Sequence, residues 1–404
     1  MMLLSGGTVL ILSLLAGLIV NRLWISEVTV CLLLGGGLAL TSHWWAHGLL
    51  IASGEISDLE LVARLTLAVA VMGVALRTPL SFFRRFWRDL MLFLGPILPA
   101  MWLTGAALAG FILNLDVLPA LLVGPTVAPT DPVVAQSIVS GRVASTNIPQ
   151  RVRRLVAGES AANDALGVMI VMLPLFLMFE APDHAIGHCL RKILLRDLFL
   201  SVGAGAVFGL VTGSLFLRAK SQEYSEERPM LVIALALTFT TVATLQLLDG
   251  NGITGSFAAG LTFNAKISGI ENQQHRLHGT VSRFLDLPAF VLIGLYAPWE
   301  GWKNLGWRGI AFALAVVVLR RLPWVLALTF RSQSLRTRKE RLFVGWFGPV
   351  GVGAAFYAIK VQADSGIAWL WPIVSLVLFA SVLVHGSSAT PLAYWLGRHW
   401  SRDE

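Results

Sequence analysis

The sequence predicts an all-α polytopic membrane protein of about 13 transmembrane helices, on three observations. Of its 404 residues, 56% are hydrophobic and only 13% are charged, about half the roughly 25% charged fraction of a soluble domain. The mean hydropathy is +0.72. The apolar residues gather in runs of about 20, the length that crosses a bilayer. A soluble globular fold and disorder are both excluded. Spans and loops use the whole length, so residues 1–404 read as a single membrane domain. No GxxxxGK[ST] loop is present, which argues against nucleotide-driven pumping. Cys31 and Cys189 are too few for a disulfide framework.

The spans are expected at 3–20, 28–41, 57–77, 90–113, 117–140, 152–180, 193–217, 229–248, 252–265, 281–298, 307–330, 341–360 and 367–388. The first lacks a basic segment before it and a small-residue cleavage pattern after it, and reads as a span rather than a cleaved signal peptide. Lys and Arg orient the rest. They cluster after span 3 (Arg77, Arg84, Arg85, Arg88), span 5 (Arg142, Arg151, Arg153, Arg154), span 7 (Arg218, Lys220, Arg228) and span 11 (Arg331, Arg336, Arg338, Lys339, Arg341). All are odd-numbered loops, hence one side, the cytoplasm. The C-terminus is then cytoplasmic and the N-terminus outside. Arg191, Lys192 and Arg196 after span 6 break the pattern. The net charge of +8 therefore reads as topology, not nucleic-acid binding. Trp44, Trp45, Trp299 and Trp302 fit interface belts.

Two spans are interrupted. Span 5 reads GPTVAPTDPVVAQSIVSG over 124–141, with Pro125, Pro129 and Pro132, each removing a helix hydrogen bond. Span 12 contains GPVGVG over 348–353. Unwound backbone at membrane depth survives only where protein or a water-filled cavity covers it. The two spans lie seven apart, so the second enters from the opposite side, and matched broken helices in inverted halves point to a transporter binding site. Spans 2 and 9, both glycine-rich, repeat the same offset.

Ionisable residues inside spans mark functional positions. Span 5 holds Asp131 beside Thr130 and Pro132. Span 6 brings Glu159, Ser160, Asn163 and Asp164 together about two turns into an apolar helix, because Ser160 and Asp164 share one face and Glu159 and Asn163 share another. Alkali cations and protons both seek oxygen. A carboxylate among hydroxyl, amide and carbonyl oxygens replaces a hydration shell, and taken partly out of water it holds a proton more readily. It holds either the proton or the cation, and that competition suffices for exchange. Asp164 is the expected carrier; Thr130, Asp131 and Ser160 are its helpers. Arg320 and Arg321 interrupt AFALAVVVLRRLPWVLAL in span 11, and a Glu159–Arg321 pair, with Arg320 as the alternate, is expected to hold the core helices together. Structural readings stand beside these. Asp131 also suits capping of groups freed by Pro132, Asn163 suits helix packing, and Glu159 suits an interface near Arg151–Arg154. Asp249 reads as a turn residue and His385 as a packing or helix-end residue.

APTDPVVA (128–135), IVSGRVASTNIPQRVRRLVAGESAANDALG (138–167), LRRLP (319–323), GWFGPVGVGAAFYA (345–358) and VHGSS (384–388) together resemble the sodium/proton exchangers, the CPA1 branch of monovalent cation:proton antiporters. Thr-Asp-Pro followed about thirty residues later by Glu-Ser-x-x-Asn-Asp is the specific part, and the GWFGP…GVGA style is closest to fungal plasma-membrane exchangers and their bacterial relatives. The resemblance implies 13 helices in two inverted repeats with two crossed, broken core helices, a homodimer and elevator-like alternating access. Core, ion-binding helices then fall at about 90–180 and 307–388, the rest being scaffold and dimerisation helices. It implies exchange of Na⁺, or of Li⁺ or K⁺, for H⁺, with Asp164 and Asn163 as the exchanging pair and Asp164, Asp131, Thr130 and Ser160 around the cation. It pairs Glu159 with Arg321, and associates Asn163–Asp164 with electroneutral one-for-one exchange. No cofactor is expected. Many members carry an arginine where this chain has Val350. An end at Glu404, without a long regulatory tail, points to a bacterial inner membrane. An intramembrane hydrolase with Ser160 as nucleophile and His385 as base is disfavoured, since GESAAND is not a GxSxG elbow. A passive channel would not couple two fluxes.

Overall fold

The computed structural model describes residues 24–45, 56–221, 230–267 and 274–400. Span 1 lies outside the described residues. Among those described, the chain is built of α1 (Glu27–Trp45) and α2 (Ile56–Arg77), α3 (Trp87–Leu113), α4 (Val117–Val127) and α5 (Gln150–Phe179), and α6 (Pro182–Ala219). There follow α7 (Met230–Leu247), α8 (Gly252–Ile267), α9 (Gln274–Leu295), α10 (Trp299–Leu319), α11 (Leu322–Leu328), α12 (Arg338–Trp346), α13 (Val352–Ser365) and α14 (Leu370–Trp400). Seven of them, α2, α3, α5, α6, α7, the α10–α11 stretch and α14, are long and apolar enough to cross a bilayer.

The chain is an all-α polytopic membrane protein, and its outward faces say why. Phe111, Leu195, Phe199, Leu247 and Trp307 are exposed, a coat that would aggregate in water and that hydrocarbon solvates. The helix interiors carry apolar and small residues on the opposite faces. Among the described residues, the largest buried cluster joins α1 to α5, α8 to α10, α13 and α14, which places the two broken spans and the acidic helix α5 in the middle of the molecule. Trp302 is more than an interface residue: its indole N–H donates to the Pro372 carbonyl (3.1 Å) and Ser375 Oγ (3.0 Å), pinning α10 to α14.

Several boundaries differ from expectation: span 10 begins at Gln274 rather than 281 and span 12 ends at Ser365 rather than 360. Span 7 begins at Pro182 rather than 193, since Pro182 occupies the first helical position, where its missing N–H costs nothing. The helix then runs through a π-helical stretch, Lys192–Leu200. Span 11 starts at Trp299 and breaks at Arg320–Arg321 before Pro323. Span 13 continues through Pro391 to Trp400. A second π-helical stretch, Phe93–Ile97, surrounds Pro96 in α3, where the proline cannot supply the regular helix bond.

Candidate functional site

The prolines do what their chemistry requires. α4 ends at Val127, residues 128–135 form no regular helix, and a single turn resumes at Gln136–Val139. In span 12, residues 347–351 are unwound between α12 and α13. The two unwound segments meet: the Asp131 amide donates to the Pro349 carbonyl at 2.8 Å.

The helix ends freed by these breaks are satisfied by side chains from elsewhere in the chain. α13 opens on Gly351, which has no side chain with which to cap it. Asp131 supplies the cap from the other broken span, its Oδ2 accepting the Val352 amide. Its Oδ1 accepts the amides of Val133 (2.6 Å) and Val134 (3.2 Å). A Cβ on Gly351 would overlap the Asp131 carboxylate, so this crossing requires glycine. Arg320 serves the opposite polarity. Its Nη1 donates to the carbonyls of Val127, Ala128 (3.0 Å) and Pro129 (3.3 Å), and its Nη2 to that of Gly348. A carboxylate thus sits on a helix N-terminus and a guanidinium on freed C-terminal carbonyls, as the helix dipoles favour.

On α5 the four polar residues are 1–3% exposed. Glu159 and Arg321 form a forked ion pair, Nη1 to Oε1 at 2.9 Å and Nη2 to Oε2 at 3.0 Å, while Arg321 Nε donates to the Val344 carbonyl at 3.1 Å. Asn163 is fully engaged. Its Nδ2 donates to Glu159 Oε1 and to Thr130 Oγ1, both at 2.8 Å, and its Oδ1 accepts the Thr130 amide at 3.2 Å. Thr130 Oγ1 lies 2.9 Å from Ser160 Oγ. The structure therefore brings Thr130, Glu159, Ser160, Asn163 and Arg321 into one network.

Asp164 stands apart from that network. The Tyr357 hydroxyl donates to its backbone carbonyl at 2.9 Å and lies 3.4 Å from its Oδ1. Its Oδ2 is buried and has no hydrogen-bond partner among the described residues. A Cβ on Gly353 would lie 2.7 Å from Oδ1, so the carboxylate faces the first turn of α13. A buried carboxylate oxygen without a partner is costly and calls for a ligand or a proton. The next carbonyl, that of Ala165, accepts Thr254 Oγ1 (2.8 Å) and Asn251 Nδ2 (3.4 Å) from the start of α8.

Sequence reasoning missed Tyr357 and the partners of two residues it did name, Arg320 and His385. Tyr357 left only a weak signal, a hydroxyl-bearing aromatic one turn after Gly353. Arg320 was visible as a buried charge, but its carbonyl partners were not. His385 packs as a helix-bound residue, and with Ser381 it also closes the unwound part of span 12. Its Nε2 is 2.9 Å from the Trp346 carbonyl and its Nδ1 is 3.0 Å from Ser381 Oγ, which accepts the Val350 amide at 2.8 Å. Asp249 sits in a turn with φ 55° and pairs with Arg196.

A family profile described as "Sodium/hydrogen exchanger, transmembrane" matches residues 9–395. The Na(+)/H(+) antiporter 2 of Zygosaccharomyces rouxii is 28% identical over 97% of this chain and 52% of its own length. The K(+)/H(+) antiporter NhaP2 of Shewanella sp. (strain MR-4) is 23% identical over 84% of this chain and 58% of its own. The chain thus spans about half the length of these curated relatives. Among solved structures, the sodium proton antiporter MjNhaP1 from Methanocaldococcus jannaschii superposes with a TM-score of 0.74 at 20% identity, covering 99% of both chains.

Proposed function

The chain belongs to the sodium/hydrogen exchanger family, and on that footing we propose that it exchanges Na⁺ for H⁺ across a membrane, one for one, at Asp164. The observation that carries this reading is the buried, unpartnered Oδ2 of Asp164 beside polar side chains that already satisfy one another. Asp131 is occupied with three amides, and Glu159 with Arg321. Asp164 is the carboxylate left to take up a proton or a cation. A proton on Oδ2 neutralises it. A monovalent cation there replaces part of its hydration shell with carboxylate oxygen, and Thr130 and Ser160 turn toward it from the network they form in its absence. The two states exclude each other, so release of one on each side of the membrane is coupled to uptake of the other.

Alternating access requires α5 and the broken spans to move together, and the Glu159–Arg321 pair, the Asp131 cap and the Arg320 bonds tie them into one body. In this reading core helices at about 90–180 and 307–388 move against a scaffold that also forms a homodimer. The protein lies in the membrane with its C-terminus in the cytoplasm, on the Lys/Arg side of the loops. Potassium is the competing cation, favoured by the resemblance to the Shewanella K(+)/H(+) antiporter.

Purified protein in vesicles with a preset pH gradient tests the reading. Na⁺, K⁺ and Li⁺ are added in turn while internal pH is followed, for wild type and Asp164→Asn. Cation-triggered proton movement in wild type and none in the variant is the expected result. Silence with every cation across a broad pH range rejects exchange; activity surviving in Asp164→Asn keeps exchange and moves the carrier elsewhere.

A further inference from the structure

Two cavities lie beyond the network described above. The smaller, of about 220 Å³, is walled by residues that include Val168, Asp197, Gln246, Phe356 and Lys360. The larger, of about 890 Å³, includes Met172, Phe176, Phe179 and Asp364. Lys192 and Asp249 line both.

The spacing of these wall residues connects the cavities to Asp164. Along α5, Asp164, Val168, Met172, Phe176 and Phe179 recur at intervals of three or four residues, which is a single helix face. Along α13, Gly353, Phe356, Lys360 and Asp364 do the same. Gly353 faces Asp164, the next residues on both stripes line the small cavity, and the last ones line the large cavity. The two cavities therefore lie in line along the faces of the two helices that meet at Asp164, between it and the surface where those helices end at Phe179 and Ser365.

Asp197 stands on the wall of the smaller cavity, in the π-helical stretch of α6. It is 3% exposed, and its Oδ2 has no hydrogen-bond partner among the described residues. Lys192, Lys360 and Arg196 lie close enough for their charges to act on Asp197, though none forms an ion pair with it and each also has another acid. Arg64 pairs with Glu60, Lys360 Nζ is 2.8 Å from Asp364 Oδ2, and Lys192 Nζ is 3.9 Å from Asp249 Oδ1, while Arg196 takes Asp249 Oδ2. What remains is a buried carboxylate on the wall of a small cavity of mixed polar and apolar lining, which Gln246, Gly250 and Asn251 share with Arg64, Lys192 and Lys360. Carboxylate, amide and carbonyl oxygens suit a hard cation, and π-helical turns recur at functional positions.

The geometry points to Asp197 as a second, transient site for a monovalent cation, on the route between one membrane surface and Asp164. This rests on the exchange reading above. A cation pausing at Asp197 has given up part of its water before it reaches the carrier, so removing the carboxylate weakens capture from that surface and not from the other.

The test uses the full protein in vesicles with each orientation resolved, measuring initial proton movement against Na⁺ concentration added to one face at a time. In Asp197→Asn, the apparent KM for Na⁺ rises about tenfold at the face where α5 and α13 end and stays within about twofold at the opposite face, the loss expected for one charge-assisted contact. Folded yield and thermal stability are measured in parallel. A KM unchanged at both faces, or raised equally at both, overturns the proposal. Should Asp197→Asn not fold, Asp197→Glu carries the test: a shift at that face alone supports the site, and wild-type or equally shifted values at both faces overturn it. Wild-type silence overturns the exchange reading and this proposal with it, whereas wild-type exchange with an unshifted variant overturns this proposal alone.

Discussion

Glu159 and Arg321 lie side by side in the interior, 3% and 2% exposed, joined by two parallel hydrogen bonds of 2.9 and 3.0 Å. The pair links α5 to the break that follows α10. Removing one member leaves a buried charge without its partner, at a cost of about 3–5 kcal/mol. Glu159→Ala is therefore expected to lower the thermal unfolding temperature and the folded yield in detergent. Replacing both residues by apolar ones, Glu159→Leu with Arg321→Met, recovers part of that loss. A single Glu159→Ala variant as stable as wild type would show that the pair holds nothing together.

Asp131 accepts three backbone amides, two from its own turn and one from α13. Asparagine keeps one acceptor oxygen and turns an NH₂ toward amides that need an acceptor, costing about 1–3 kcal/mol. Asp131→Asn should be destabilised by that amount while retaining more exchange than Asp164→Asn. Thermal unfolding and vesicle transport on the same preparation check both halves; unchanged stability would contradict the cap.

Asn163 donates to Glu159 Oε1 at 2.8 Å. Asn163→Asp places a second carboxylate there, and two carboxylates at that distance do not both ionise. The variant is expected to carry an additional proton and to make exchange sensitive to membrane potential. Rates measured with and without an imposed potential decide it: identical rates would show that this position does not set stoichiometry.

Tyr357 holds the Asp164 main chain through its hydroxyl at 2.9 Å. Tyr357→Phe keeps the buried ring and removes one hydrogen bond, so exchange persists with an apparent cation KM raised by up to about tenfold. Abolished transport in a stably folded Tyr357→Phe would mean that the hydroxyl takes part in the exchange itself.

Much of this site is legible in the sequence. Pro125, Pro129 and Pro132 announce a broken helix because proline cannot continue the ladder. Glu159, Ser160, Asn163 and Asp164 announce a patch because helical spacing puts them together. The pairing of Glu159 with one of two adjacent arginines was legible too. What Arg320 does instead was not. The helix breaks between α10 and α11, so consecutive arginines point in different directions, one to a carboxylate and one to carbonyls of both unwound segments. The same limit applies to Asp131. Pro132 suggests capping within the turn, but the Val352 amide lies 221 residues away in the chain, and no local pattern encodes that contact. Spacing alone also left the transported ion unnamed; the proposal of Na⁺ rests on the family resemblance.

The seam between α5 and α8 has its own consequence for speed. The Ala165 carbonyl, one residue from Asp164, is held by Thr254 and Asn251 through two neutral hydrogen bonds, each contributing about 1 kcal/mol net. In the proposed alternating access, sliding of α5 along α8 breaks both and no ion pair at that point. A barrier contribution of about 2 kcal/mol slows a step by less than about a hundredfold. In that proposed motion the contact acts as a detent that defines a resting position, and thermal motion alone releases it.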